Sequence, residues 1–115
     1  MAKIFVILTK GKDDLNMVNV AANFSYNAVK NAGATVNFMF LGRGVENLLK
    51  DSNGIKPIID LVDKMKSENI EVTYCKVSTK GLGLSEEQML GGIEPVMGGV
   101  QTAKKIDEGF SVITF

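Results

Sequence analysis

The stretch Ile70–Leu84, IEVTYCKVSTKGLGL, begins as one kind of structure and ends as another. Ile70, Val72 and Tyr74 alternate with polar residues at the period of a β-strand. Lys76, Ser78, Lys80, Gly81 and Gly83 then break that period, so the segment from Lys76 to Leu84 is expected to be a loop. At the change stands Cys75, the only cysteine of the chain. Which sheet this strand joins is decided by the segments around it.

Toward the N-terminus, Ile4–Leu8 is an unbroken, β-branched apolar run, the signature of a strand buried on both faces and expected near the centre of a parallel sheet. Asp13 or Asp14 offers a helix N-cap, and Leu15–Asn31 follows with Val18, Ala21, Ala22, Ala28 and Val29 on one broad side. Asn16, Asn19, Asn23, Asn27 and Asn31 step along the other side, flanked by Met17, Val20, Phe24 and Tyr26, which a monomer would leave partly uncovered. Gly33 fits the left-handed residue that ends a helix. Ala34–Leu41 alternates as a second strand, with Asn37 marking one face as less deeply buried. A short helix around Val45, Leu48 and Leu49 and a longer one opened by Pro57, with Ile58, Leu61, Val62 and Met65 inward, lead to Asn69 and the strand Ile70–Cys75.

Beyond Leu84, Ser85 and Gln88 form a capping box for one or two turns of helix through Leu90. Ile93–Met97 reads as a fourth strand, although Pro95 removes a ladder donor. Gly98 and Gly99 open a helix through Glu108, and Ser111–Phe115 is a last strand. Strands alternating with helices specify an α/β fold: a three-layer α/β/α domain spanning residues 1–115, with a mainly parallel five-stranded sheet of flavodoxin-like architecture.

The composition narrows the chemistry. The chain has 115 residues, 45% of them hydrophobic and 23% charged, with 13 basic against 13 acidic side chains. That balance implies no bulk attraction to nucleic acid or to a membrane surface. The sequence contains no histidine, which removes Ser-His and Cys-His nucleophile activation and the imidazole metal ligand. One cysteine makes no internal disulfide, and no signal-peptide pattern is present, so the expected compartment is the cytoplasm. Gly81, Gly83, Gly91 and Gly92 match neither the dinucleotide fingerprint nor a Walker loop, and neither a cofactor nor a metal is expected.

In a parallel sheet, ligand sites lie beyond the carboxyl ends of the strands. The loops there carry Lys10, Arg43, Cys75, Lys76 and Lys80, with the amides of Gly98 and Gly99 at a helix start. This edge is basic although the chain as a whole is neutral. A positive surrounding favours thiolate over thiol, which makes Cys75 the candidate nucleophile and the other six the candidate substrate-binding residues. The alternative is a small, buried, inert cysteine in an oligomeric binding or scaffold subunit, with Met17, Phe24 and Phe38 as candidate surface residues.

A strand ending in cysteine, then a Gly/Leu loop, SEEQML-GG-IEPV, GG, a helix and EGFSVITF resembles the DsrE/DsrF-like family of sulfur-relay proteins. The resemblance implies a trimeric or hexameric assembly and, for some members, sulfurtransfer. In those members the cysteine matching Cys75 carries sulfane sulfur as a persulfide between a donor and an acceptor protein. With no second cysteine here, any resolving thiol belongs to another subunit or a partner.

Overall fold

A computed structural model describes residues 1–115. Its strands are β1 (Lys3–Leu8), β2 (Thr35–Phe40), β3 (Glu71–Cys75), β4 (Glu94–Val96) and β5 (Ser111–Thr114). They form one five-stranded sheet in the order β4-β3-β2-β1-β5, and every pairing is parallel. The centre is β2, and β1 lies one place toward the edge, between β2 and β5. The apolar run of β1 reports burial on both faces, which any interior strand shares; it does not report position among interior strands.

The main helices are α1 (Leu15–Ala32), α2 (Ile55–Ser67), α3 (Lys76–Gly81) and α4 (Gly98–Asp107). From β1 through β3 the chain advances across the sheet in one direction, and from β4 to β5 it returns. Right-handed crossovers therefore put α1 and α2 on one face and α4 on the other. The cores match this division. Val18, Ala21, Ala22, Ile58, Val62 and Met65 pack with Val6, Val36, Phe38 and Val72 in a cluster of 19 buried residues. The opposite face holds only Phe5, Ile7, Met39 and Phe110 as its buried cluster.

Local signals explain the helix ends. The Asp14 carboxylate accepts the N–H of Met17 and caps α1, while Gly33, at φ 66°, ends it. Pro57 sits in the first turn of α2, where its missing N–H costs nothing. The segment around Val45 and Leu48 is a 3-10 helix over Gly42–Leu48, and the Ser85–Gln88 box caps a single 3-10 turn, Glu86–Gln88. Pro95 is accommodated because β4 is an edge strand.

Two expectations about burial change. Phe38 is 1% exposed, because the alternation of β2 turns it toward α1 and α2, where its ring meets Phe40 edge-on at 5.1 Å. It is not a surface residue. Asn37 is buried on the α4 face with its Oδ1 unpartnered. Nearby on that face, Lys105 is buried with its ammonium 3.3 Å from Glu108, 3.9 Å from Glu71 and over the Phe110 ring.

The loops leaving β1 and β2 are locked to each other. The side-chain amide of Asn47 donates to the carbonyls of Lys10 and Gly44, at 2.9 and 3.0 Å. A Cβ on Gly44 would lie 2.2 Å from the carbonyl oxygen of Leu8, a backbone atom of an interior strand that has no rotamer to yield. Gly44→Ala is accordingly expected to destabilise the fold by about 1–3 kcal/mol or more. A urea midpoint equal to that of the unsubstituted protein would contradict the close approach.

Candidate functional site

The segment after Cys75 is not a loop. It turns directly into α3, Lys76–Gly81, with Cys75 itself as the N-cap. Sulfur takes the role usually played by a Ser or Asp oxygen, accepting the backbone N–H of Ser78 at 3.4 Å. At the other end the N–H of Gly83 bonds the carbonyl of Lys80 and that of Leu84 the carbonyl of Thr79, with Gly83 at φ 75°. This is a Schellman motif, so Gly83 closes a helix instead of populating a loop. The hydroxyl of Thr79 further binds the carbonyl of Lys76.

Cys75 lies where the connections from neighbouring strands part. The segment after β3 contributes Met89 and Ile93 to the α1/α2 core, whereas β4 feeds α4 on the opposite face. Such a switch point is where open α/β sheets place their sites. In the parallel register Cys75 pairs with Val96, two residues before Gly98, and a Cβ on Gly98 would stand 3.0 Å from Sγ. The absence of a side chain at Gly98 is what lets the start of α4 approach the sulfur.

The thiol is 3% exposed. Burial alone pushes its pKa up. Hydrogen bonds from the Ser78 side chain and from the backbone N–H groups of Ser78, Gly98 and Val77 outweigh burial, and the pKa ends below the ordinary thiol value. The N–H donors that cradle the sulfur come from two elements, α3 and the first turn of α4.

Of the basic residues expected near the thiol, Lys76 and Lys80 are exposed on α3 and line an open cavity of about 430 Å³ together with Val77, Thr79, Leu84, Glu86 and Met97. Sγ is not on its wall, although Lys76, the next residue, is. Arg43 and Lys10 do not line it. Arg43 is engaged by Glu46 at 3.0 Å, an ion pair whose hydrogen bond raises the arginine pKa further, and Lys10 is exposed at the end of β1, two strands from β3. Gly99 is exposed in the first turn of α4 and touches nothing through its missing side-chain position. Cys75 and Gly98 thus meet directly, Lys76 and Lys80 flank them, and Lys10, Arg43 and Gly99 stand apart.

Comparison with known proteins places this arrangement. The model of the DsrE/DsrF-like family matches residues 2–115. The chain belongs to the DsrE/DsrF-like family. Among solved structures, YchN from E. coli superposes with a TM-score of 0.81 at 18% identity, each chain covered to 100%. MTH1491 from Methanobacterium thermoautotrophicum, a protein of unknown function, gives 0.78 at 15% identity, again with 100% of both chains covered. BT1422 from Bacteroides thetaiotaomicron, also of unknown function, gives 0.74 at 15% identity over 98% of this chain and 94% of its own. At these identities the likeness is one of fold. No curated protein matches the sequence.

For this DsrE/DsrF-like chain, sequence reasoning did not bring Val77, Ser78, Leu84, Glu86 or Met97 to the site. Reading Lys76–Leu84 as a loop concealed that Val77 and Ser78 occupy a helical first turn. The usable signal was Gly83 followed by an apolar residue, the pattern of a Schellman end.

Because only the thiolate is alkylated at a useful rate, the rate constant for iodoacetamide should rise with pH and reach half its plateau below the free-thiol value of about 8.5. In Gly98→Ala the new methyl displaces Sγ from the N–H of residue 98, and the half-point should move upward. The flexible end of Leu41, 2.9 Å from the same Cβ position, yields cheaply, so the fold should survive. An unchanged half-point in the folded variant would remove Gly98 from the cradle.

Proposed function

We propose that the protein is a sulfur carrier of the sulfur-relay type, in which Cys75 holds sulfane sulfur as a persulfide and passes it to a partner thiol. The observation that carries this reading is the convergence of N–H donors from α3 and α4 on one thiol at a switch point of the sheet. Family membership supports it.

In the first step the Cys75 thiolate attacks the outer sulfur of a donor persulfide, R–S–SH. The donor S–S bond breaks, its electron pair leaves on R–S⁻, and a new Sγ–S bond completes the Cys75 persulfide. In the second step an acceptor thiolate attacks that outer sulfur, and the pair of the breaking Sγ–S bond returns to Cys75. No net oxidation occurs, and no cofactor is needed. Lys76 and Lys80 would hold an anionic donor or an acidic partner surface at the flanking cavity, with Lys10, Arg43 and Gly99 in more distant roles. The absence of a second cysteine makes the acceptor an external thiol, and a reducing compartment such as the cytoplasm suits the chemistry.

Self-association as a homotrimer or homohexamer belongs to the same reading. Leu15 and Val20 on α1, and Val100 and Ile106 on α4, are exposed apolar side chains in a single chain, and Phe24 is exposed beside them although its ring meets Phe115 edge-on at 5.2 Å. A second reading, an oligomeric binding or scaffold subunit with an inert cysteine, is favoured by the 3% exposure of Cys75, since transfer requires the outer sulfur to be reachable.

Incubation with a low-molecular-weight persulfide, followed by intact mass measurement, should show one added sulfur atom, absent in Cys75→Ser and removed by an acceptor thiol. A protein that gains no sulfur where a control thiol does is the inert subunit. Sedimentation at micromolar concentration should give a species larger than one chain; a monomer would contradict the assembly.

A further inference from the structure

We propose that Ser78 is a positioning residue for Cys75, its hydroxyl tying the first turn of α3, and with it the Ser78 N–H that meets the sulfur, to the loop after β2. The proposal rests on reading Cys75 as a reactive thiol and concerns what holds that thiol in place. Ser78 joins the sulfur to the loop after β2 through two bonds. Its backbone N–H donates to Sγ at 3.4 Å, and its hydroxyl oxygen accepts the N–H of Gly42 at 2.9 Å. The hydroxyl thus anchors the residue whose N–H meets Sγ, and the same side chain helps to lower the thiol pKa.

Gly42 is itself held by the sheet. The N–H of Leu41 donates to the carbonyl of Leu8 at 2.9 Å, and Gly44 packs on the same carbonyl. A continuous line therefore runs from the interior of the sheet through Gly42 and Ser78 to the thiol. Without it, α3 would be poorly placed: a helix of six residues has little stability of its own. The Gly42–Ser78 bond fixes the first turn of α3, and with it the direction from which the Ser78 N–H meets sulfur. Thr79 serves its own helix by bonding Lys76, and Thr102 bonds Gly98 within α4, so neither is free for this task.

The charged groups on the elements packed here are Lys76 and Lys80 on α3, Glu86 across the flanking cavity, Glu94 on β4 and the Arg43–Glu46 pair beside Gly42; the first turn of α4 carries none. All six remain in every variant below, so differences among variants report on residue 78.

The test is the pH profile of iodoacetamide alkylation of the full chain, with circular dichroism as the check on fold. In Ser78→Ala the half-point should rise by about one pH unit, the scale of one hydrogen bond to a charged group. Ser78→Thr, which keeps the hydroxyl, should stay near the unsubstituted protein. If Ser78→Ala does not fold, Ser78→Val set against its isostere Ser78→Thr asks the same question. A folded Ser78→Ala or Ser78→Val with an unmoved half-point overturns the proposal, and so does a Ser78→Thr shifted as far as either. Alkylation requires no sulfur donor, so a failure of sulfur transfer with this pattern intact would sink the carrier function alone.

Discussion

Right-handedness of the crossover between parallel strands is the constraint on which the rest of this structure depends. Once the chain has laid β1, β2 and β3 side by side in one direction, α1 and α2 must share a face. The return from the β4 edge to the β5 edge then carries α4 over the other face. Between β3 and β4 the outgoing segments diverge, and a gap opens at their carboxyl ends. Cys75 and Gly98 fill it. The position of the thiol follows from the order of the strands, and its environment from two glycines: Gly98, small enough to let the start of α4 close in on the sulfur, and Gly42 after β2, whose N–H donates to Ser78 from a left-handed φ of 56°.

The two faces of the sheet differ in a way that bears on assembly. The α1/α2 face has a core of 19 buried residues, and the α4 face one of four. Part of what the thin face lacks in apolar burial is replaced by Lys105, whose ammonium lies over the Phe110 ring and meets Glu71 and Glu108. Alongside, Asn37 keeps a buried carbonyl oxygen without a partner. A face built in this way gains less from its own packing than the other does. Val100 and Ile106 on α4 leave this face an exposed apolar surface, which the proposed self-association would cover.

Much of the fold was legible because its signals are local. Apolar runs located all five strands, and Gly33, Pro57 and the Ser85–Gln88 pair marked helix boundaries that the structure shows. The misreadings have a common origin in side chains whose partners are distant in sequence. Lys76–Gly81 reads as loop because Ser and Thr favour turns when considered alone; the helix is selected by a thiol cap at one end and a left-handed glycine at the other. Ser78 could not be picked out, since its partner Gly42 is 36 residues away in the chain. Arg43 looked available in sequence and is taken up by Glu46 in the fold. Periodicity reports which way a side chain points, and it says nothing about whether a charge is already paired.

The near-complete burial of Cys75 and the lowering of its pKa pull in opposite directions, and the way they are reconciled bears on how a carrier would work. Desolvation raises the cost of the anion, and only directed donors offset it. In the proposed relay those donors would act on Sγ whenever it carries charge: before a donor is attacked, and again when Sγ leaves as the acceptor takes the outer sulfur. In between, Sγ is a neutral sulfur in an S–S bond and the same donors gain least. The cradle therefore stabilises the two thiolate states relative to the loaded one. A thiol of lowered pKa is the better leaving group in exchange. Such a site is suited to passing sulfur on and poorly suited to storing it, and the same donors would serve loading and unloading without any change in the fold.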